Sequence, residues 1–277
     1  MKMTFLGSGS FFSENNYHTN ILLEHEGKSF LIDCGTDIRH SLPAESKTPD
    51  IDSVYISHMH SDHCGGLEYL GFYAYFIAKK KMNLYSHQTL NYPIWSALSG
   101  GMAYLDDLDA HLSTYFKVHS IDYYMNKNKF TWNGIDFTII PSRHNYPSND
   151  ELRCRRPIQS IMSYGLQFMV GDKLVWVTTD SCEANFAEKE DWWNHPERAK
   201  HYYESDIIFH DCETFECSNV HSHYSALKKF PADIKKKISL VHYQDLGDKM
   251  PDAVADGFAG FVWKGQQYWR NVDCEWS

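Results

Sequence analysis

SVYISHMHSDHCGG, residues 53–66, sets three imidazoles and a carboxylate within six residues, directly after a short apolar run. SVYIS has the β-branched and aromatic character of a buried strand, and the glycine pair allows a tight turn into a following helix. At i and i+2 of an extended segment, His58 and His60 point the same way, so one ion can take both. Asp62 and His63 come after the turn, where the start of a helix would aim them at a second ion. Nitrogen and carboxylate donors in this number suit a borderline-soft divalent cation, zinc best. A histidine-rich surface loop is the plain alternative, and the spacing between strand and helix speaks against it.

Six residues cannot complete two ions, so other strand ends must contribute. His144 ends IIPSRH, Asp180 ends WVTTD and His242 ends ISLVH, each after an apolar run. A polar ligand at the end of a buried strand is a common way to set a site on a rigid frame. Singly, each has an ordinary reading as a satisfied histidine or a turn aspartate. In order after the first motif they form a set.

The rest of the chain supplies the frame. Met3–Gly7, Ile21–Glu24, Ser29–Asp33, Asn83–Tyr85, Ile207–His210 and Ile238–His242 read as short strands. Asn133-Gly134 and Gly171-Asp172 mark two hairpins, Phe130–Trp132 with Ile135–Ile140 and Gln159–Val170 with Leu174–Thr178. Leu67 to about Lys81, Thr89–Leu105, Tyr224–Lys229 and Ala232–Lys237 have helical composition. The strands are expected to pair mostly by hairpins, in an α/β sandwich of two inner sheets and outer helices. No linker, repeat or low-complexity tract divides residues 1–277, which reads as a single domain.

Composition narrows the function. The 26 Lys+Arg against 36 Asp+Glu give a formal net charge of −10, which disfavours a broad duplex-DNA or tRNA footprint. No run approaches the roughly 18 apolar residues of a membrane span, and MKMTFLGSGSFFSENNYHTN is no signal peptide. The expectation is a soluble cytoplasmic protein with no membrane partner. Seven scattered cysteines without a Cys-x-x-Cys pair argue against a disulfide framework or a thiolate zinc site.

LGSGS at 6–10, LIDCG at 31–35, HMHSDH at 58–63, His144, TTD ending at Asp180 and LVH ending at His242 resemble the metallo-β-lactamase superfamily over essentially the whole chain. Within it they are most similar to the phosphodiesterase branch of ribonuclease Z and of bacterial and phage cyclic-nucleotide phosphodiesterases, the phage anti-Pycsar type included. The resemblance implies an αββα sandwich with a two-metal site. It assigns His58, His60 and His144 to one ion and Asp62, His63 and His242 to the other, with Asp180 bridging. Two such cations supply a nucleophile at neutral pH and neutralise developing phosphoryl charge. Asp62 would also orient that nucleophile. A leaving alkoxide needs a proton, and FHDCETFECSNVHSHYSALKKF matches the region that provides the acid. His221 fits best, with His223 two residues on as the alternative; a helix-capping role is the ordinary reading of either. Asp211 and Glu213 are candidates for fixing ligand tautomers, or are solvated loop acids.

Ribonuclease Z carries a long tRNA-binding arm between the positions matching His144 and Asp180. Here that interval holds only YPSNDELRCRRPIQS and a hairpin. Arg153, Arg155 and Arg156 could clamp one phosphate or form a solvated turn. The expected substrate is a small 3′,5′-cyclic nucleotide, hydrolysed to a mononucleotide with two zinc ions as cofactors. In a phage this would erase a nucleotide alarm signal. Tyr92, Trp95, Tyr104, Tyr115 and Phe116 could stack a base, fill a core or cover a homodimer interface of the kind common in this branch. The alternatives are an RNA 3′-end endonuclease without the arm, a non-catalytic nucleotide-sequestering protein, and a thioester, lactone or lactam hydrolase.

Overall fold

Apolar runs of four to six residues become fully covered strands: SVYI at 53–56 and ISLV at 238–241 are buried at every position. A computed structural model describes residues 1–42, 51–105, 108–144, 161–182, 196–216 and 220–269. The chain forms two compact units, one from Met1–Gly134 with Trp263–Ser277, the other from Ile135–Val262.

The first unit contains β1 (Lys2–Gly7), β2 (Asn20–His25), β3 (Lys28–Ile32), β4 (Ser53–Ile56), β5 (Met82–His87), β6 (Tyr104–Leu105), β7 (Leu108–Asp109), β8 (Phe116–Ile121), β9 (Lys129–Trp132) and β16 (Gln267–Trp269). Its large sheet runs β16-β1-β2-β3-β4-β5-β8. The β16–β1–β2–β3 pairings are antiparallel, whereas β3–β4–β5–β8 is parallel. Glu26 (φ 47°) and Gly27 (φ 73°) close the two-residue turn between β2 and β3, as the twist of a tight hairpin demands. Phe5, Leu23, Phe30, Leu31, Val54 and Leu84 are fully buried. Phe30 packs its ring on Tyr85 and Trp132 at 5.7 and 5.1 Å between centroids.

The second unit contains β10 (Ile135–His144), β11 (Ile161–Val170), β12 (Lys173–Val177), β13 (Ile207–Asp211), β14 (Ile238–Val241) and β15 (Gly260–Phe261), in the order β15-β14-β13-β12-β11-β10. Antiparallel β10–β11–β12 passes into parallel β12–β13–β14–β15. Its core joins Trp176, Tyr202, Ile208, Leu227, Phe230, Ile234, Ile238 and Leu240. Tyr202, on the helix Pro196–Glu204, packs 4.9 Å from both Trp176 and Phe230.

The expected strands form, but the pairing differs from the expectation. Hairpins account for only part of each sheet, because parallel partners lie far apart in sequence and leave no local turn signal. β8 was not anticipated. The 67–81 helix is α-helical over Leu67–Phe72, continues as a π-helix over Tyr73–Ala78, and stops at Lys79 with φ 55°. The second long helix spans Asn91–Met102, with Pro93 in the first turn, where no helical hydrogen bond is lost. Tyr224–Leu227 and Ala232–Lys235 are single turns. Asn133 (φ 45°) and Gly134 (φ 79°) adopt the expected left-handed turn. Among the described residues, no helix is long and apolar enough to cross a membrane.

Candidate metal centre

In both units the candidate ligands cluster at strand ends, chiefly the carboxyl ends of parallel strands, the usual place for ligands in open α/β sheets; His144 ends the antiparallel strand β10. In the first unit β4 ends at Ile56, and His60 (φ −68°, ψ 145°) opens the single helical turn Ser61–Cys64, which carries buried Asp62 and His63. Asp33, just past β3, governs this segment. Its carboxylate accepts from the Ser57 N–H and the Ser57 hydroxyl, both at 2.8 Å. Its Oδ2 also lies 2.7 Å from His63 Nδ1.

These contacts fix the imidazoles. His63 must donate from Nδ1 to Asp33, so in the neutral ring Nε2 keeps its lone pair, 3.3 Å from Asp62 Oδ2. Ser57 has spent its only proton on Asp33, so its oxygen accepts from His58 Nδ1 at 3.0 Å. His58 Nε2 is then also a lone pair, facing His60 Nδ1 at 3.2 Å. Nitrogens bonded at about 2.0–2.1 Å to one tetrahedral ion would lie roughly 3.3 Å apart, so this pair fits a shared cation.

The loops interlock to hold this geometry. Cys34 N–H donates to the His63 carbonyl at 2.7 Å, and Gly66 N–H to the Cys34 carbonyl at 2.8 Å. A Cβ at Gly35 would stand 2.4 Å from the Asp62 carbonyl oxygen, which is why glycine follows Cys34. Burial pushes the Cys64 thiol up to about 11 and raises the Cys34 thiol well above its ordinary value, which disfavours the thiolates a metal would need.

In the second unit the register of parallel strands gathers residues distant in sequence. Val177 of β12 pairs with Phe209 of β13, and Asp211 of β13 with Val241 of β14, so Asp180, Asp211 and His242 emerge at one edge. Asp180, Asp211, His221 and His242 form a group able to hold a cation, their ligand atoms within 4.8 Å of one another. His144, at the end of β10, donates from Nδ1 to the Val220 carbonyl at 2.8 Å and turns Nε2 to Asp180 Oδ2 at 3.3 Å. His242 places Nε2 3.5 Å from Asp180 Oδ1 and Nδ1 3.3 Å from Asp211 Oδ1. His221 Nδ1 is 3.0 Å from Asp211 Oδ2 and 3.8 Å from Asp180.

Asp211 thus serves two imidazoles, and is itself held by the Ser181 N–H at 2.8 Å. Burial works to raise its pKa, but the charge of His221 and the hydrogen bonds from His221 and His242 outweigh it and lower the pKa. Burial likewise works to lower that of His221, and the charge of Asp211, its hydrogen bond and Asp180 together raise it. Asp33 (φ 62°), Thr179 (φ 53°) and His242 (φ 62°) all occupy the left-handed region. Each costs on the order of 1–3 kcal/mol, a strain typical of functional sites.

His223 lies outside this cluster. Its Nε2 donates to the Phe215 carbonyl at 2.9 Å, while Nδ1 accepts from Ser225 and caps the turn Tyr224–Leu227. Glu213 uses its backbone to tie this segment, pairing with Ser222 and Tyr224. Tyr115 and Phe116 are core residues, whereas Tyr92 and Tyr104 are 80% and 85% exposed. Arg153, Arg155 and Arg156 fall outside the described residues. Asp33 and Ser57, to which no motif gives a role, orient His63 and His58. The signal for Asp33 was present, since it is a carboxylate ending an apolar strand before Cys-Gly, the pattern that singled out Asp180.

The profile of the family described as "Anti-Pycsar protein Apyc1" matches residues 1–268. The protein of that name from Paenibacillus harenae is 31% identical over 251 residues, covering 90% of this chain and 92% of its own length. That of Bacillus phage vB_BsuM-Goe3 is 28% identical over 260 residues, covering 88% and 89%. The solved structure of the metallo-beta-lactamase fold protein YhfI from Bacillus subtilis matches with a TM-score of 0.64 at 16% identity, over 96% of this chain and 98% of that one. That likeness establishes the fold class expected from the sequence.

Proposed function

The chain belongs to the family of the anti-Pycsar protein Apyc1, and on that premise we propose that it is a two-metal phosphodiesterase that opens 3′,5′-cyclic nucleotides to mononucleotides. One observation carries the reading: His58, His63, His144 and His242 are held at Nδ1 by a carboxylate, hydroxyl or carbonyl, which leaves Nε2 of each neutral ring facing other ligand candidates. Such support is usual around metal-bound histidines. His58, His60 and His144 would hold one cation and Asp62, His63 and His242 the other, with Asp180 shared. Both units then act as one domain over residues 1–277. Nitrogen and carboxylate donors without thiolates favour zinc.

When bound, the cations supply Lewis acidity and an attacking water of lowered pKa. Asp62 orients that water toward phosphorus. As the ester P–O bond breaks, the leaving alkoxide needs a proton, and His221 delivers it. Asp211 keeps the His221 ring oriented and favours its charged form. His223, with both ring nitrogens occupied, supports its own loop. A small nucleotide suits the short His144–Asp180 interval and the acidic charge balance. The exposed Tyr92 and Tyr104 are candidates for a homodimer contact, and the cytoplasm is where the substrate would be met. In a phage, this activity would remove an alarm nucleotide.

The test is chromatographic. Purified protein is incubated with 3′,5′-cyclic mononucleotides, cyclic dinucleotides and a precursor tRNA, each with and without chelator. Chelator-sensitive conversion of cyclic mononucleotides alone is expected. Cleavage of tRNA alone would replace this reading with a ribonuclease Z-like one.

A further inference from the structure

Phe215 is a large apolar side chain left 61% exposed, yet both its backbone N–H and its carbonyl are hydrogen-bonded to side chains. Its N–H donates to Gln244 Oε1 at 3.2 Å, and its carbonyl accepts from His223 Nε2 at 2.9 Å. The preceding residue is clamped as well. Thr214 N–H donates to Gln244 Oε1 at 2.8 Å, its hydroxyl donates to the Gln244 carbonyl at 2.5 Å, and the Gln244 N–H returns to that hydroxyl at 3.1 Å. Both anchors grow from site-bearing segments: Gln244 stands two residues after His242, and His223 two residues after His221. The ring stands outside the buried core, on a backbone oriented by those hydrogen bonds. Rigid aromatic surfaces beside a phosphate-handling site are what nucleobases stack on, because every base offers a π face.

We propose that Phe215 is the platform on which the nucleobase of the cyclic nucleotide stacks, and that His223 and Gln244 are positioning residues that hold it there. This rests on the reading of the site as a cyclic-nucleotide phosphodiesterase and adds how the base is recognised. It also gives the His223 ring a purpose that neither acid catalysis nor helix capping covers, since capping uses only Nδ1. Stacking without hydrogen-bonded readout predicts tolerance among bases, with purines bound better than pyrimidines because their π surface is larger.

Phe215→Ala should raise KM for purine cyclic mononucleotides roughly tenfold, within what one base–aromatic stack contributes, with kcat falling less than KM rises. Phe215→Trp should restore KM. His223→Ala and Gln244→Ala should give smaller rises, and His223→Gln, whose amide can still donate to the Phe215 carbonyl, should recover most of the loss. Metal content and far-ultraviolet circular dichroism are measured for every variant, so that a folding defect is recognised. Binding of cyclic AMP to chelator-treated protein, by calorimetry, supplies a readout that needs no turnover. If the wild type hydrolyses cyclic nucleotides and Phe215→Ala leaves KM and binding unchanged, the platform is refuted and the phosphodiesterase reading stands. If hydrolysis is absent but binding falls with Phe215→Ala, the platform stands and that reading fails. Neither hydrolysis nor binding by the wild type would overturn both.

Discussion

The two units carry candidate ligand sets of similar chemistry, built in opposite ways. The first draws His58, His60, Asp62 and His63 from six consecutive residues and needs one carboxylate, Asp33, to aim His63 directly and His58 through Ser57. The second draws His144, Asp180 and His242 from nearly a hundred positions of chain: the register of three parallel strands gathers Asp180, Asp211 and His242, and His144 ends the antiparallel strand β10. There a single carboxylate, Asp211, contacts two imidazoles directly. A contiguous set takes its geometry from local backbone. A dispersed set takes it from the sheet and concentrates the support on fewer groups.

That contrast can be broken experimentally. The largest effect is expected at Asp180: Asp180→Ala should abolish turnover and release metal, measured by plasma mass spectrometry, because three imidazoles face its two oxygens. Full activity in that variant would end the two-metal reading. His221→Ala should keep both metals yet slow turnover roughly 10²-fold or more, the usual share of a general acid.

Next come the two supporting carboxylates. Asp211→Asn should weaken metal affinity by something in the roughly 10–100-fold range known for such supports, and Asp33→Asn by less. Competition with a graded chelator series measures both, and equal losses would dissolve the asymmetry between the units. The smallest effect on turnover is expected for His223→Ala, well under tenfold in kcat, since both its ring nitrogens are spent on Phe215 and Ser225. A fall matching His221→Ala with metals retained would move the acid to His223.

What could be read beforehand followed the same division. HMHSDH stood out because all its donors lie within one turn of backbone. The strands before His144, Asp180 and His242 stood out as apolar runs ending in a polar group. β8, whose burial alternates irregularly along FKVHSI, carried no such mark. The helix after Leu67 was expected to reach Lys81, yet its last turns widen to a π-helix and end at Ala78. No composition rule marks where a helix changes its hydrogen-bond spacing.

The amino-acid order alone settled the superfamily resemblance, the candidate ligands and the hairpin turns, because each depends on neighbours a few residues apart. It left His221 and His223 as alternatives, since two positions along a loop are chemically alike until their partners are known. Tertiary structure gives the two rings different partners: Asp211, at the end of β13, reaches His221, and the Phe215 carbonyl accepts from His223. It also made Asp33 and Asp211 the groups that set tautomers and paired the parallel strands. Those contacts join residues 10 to 76 positions apart, a range over which folding, and not local sequence, decides who meets whom.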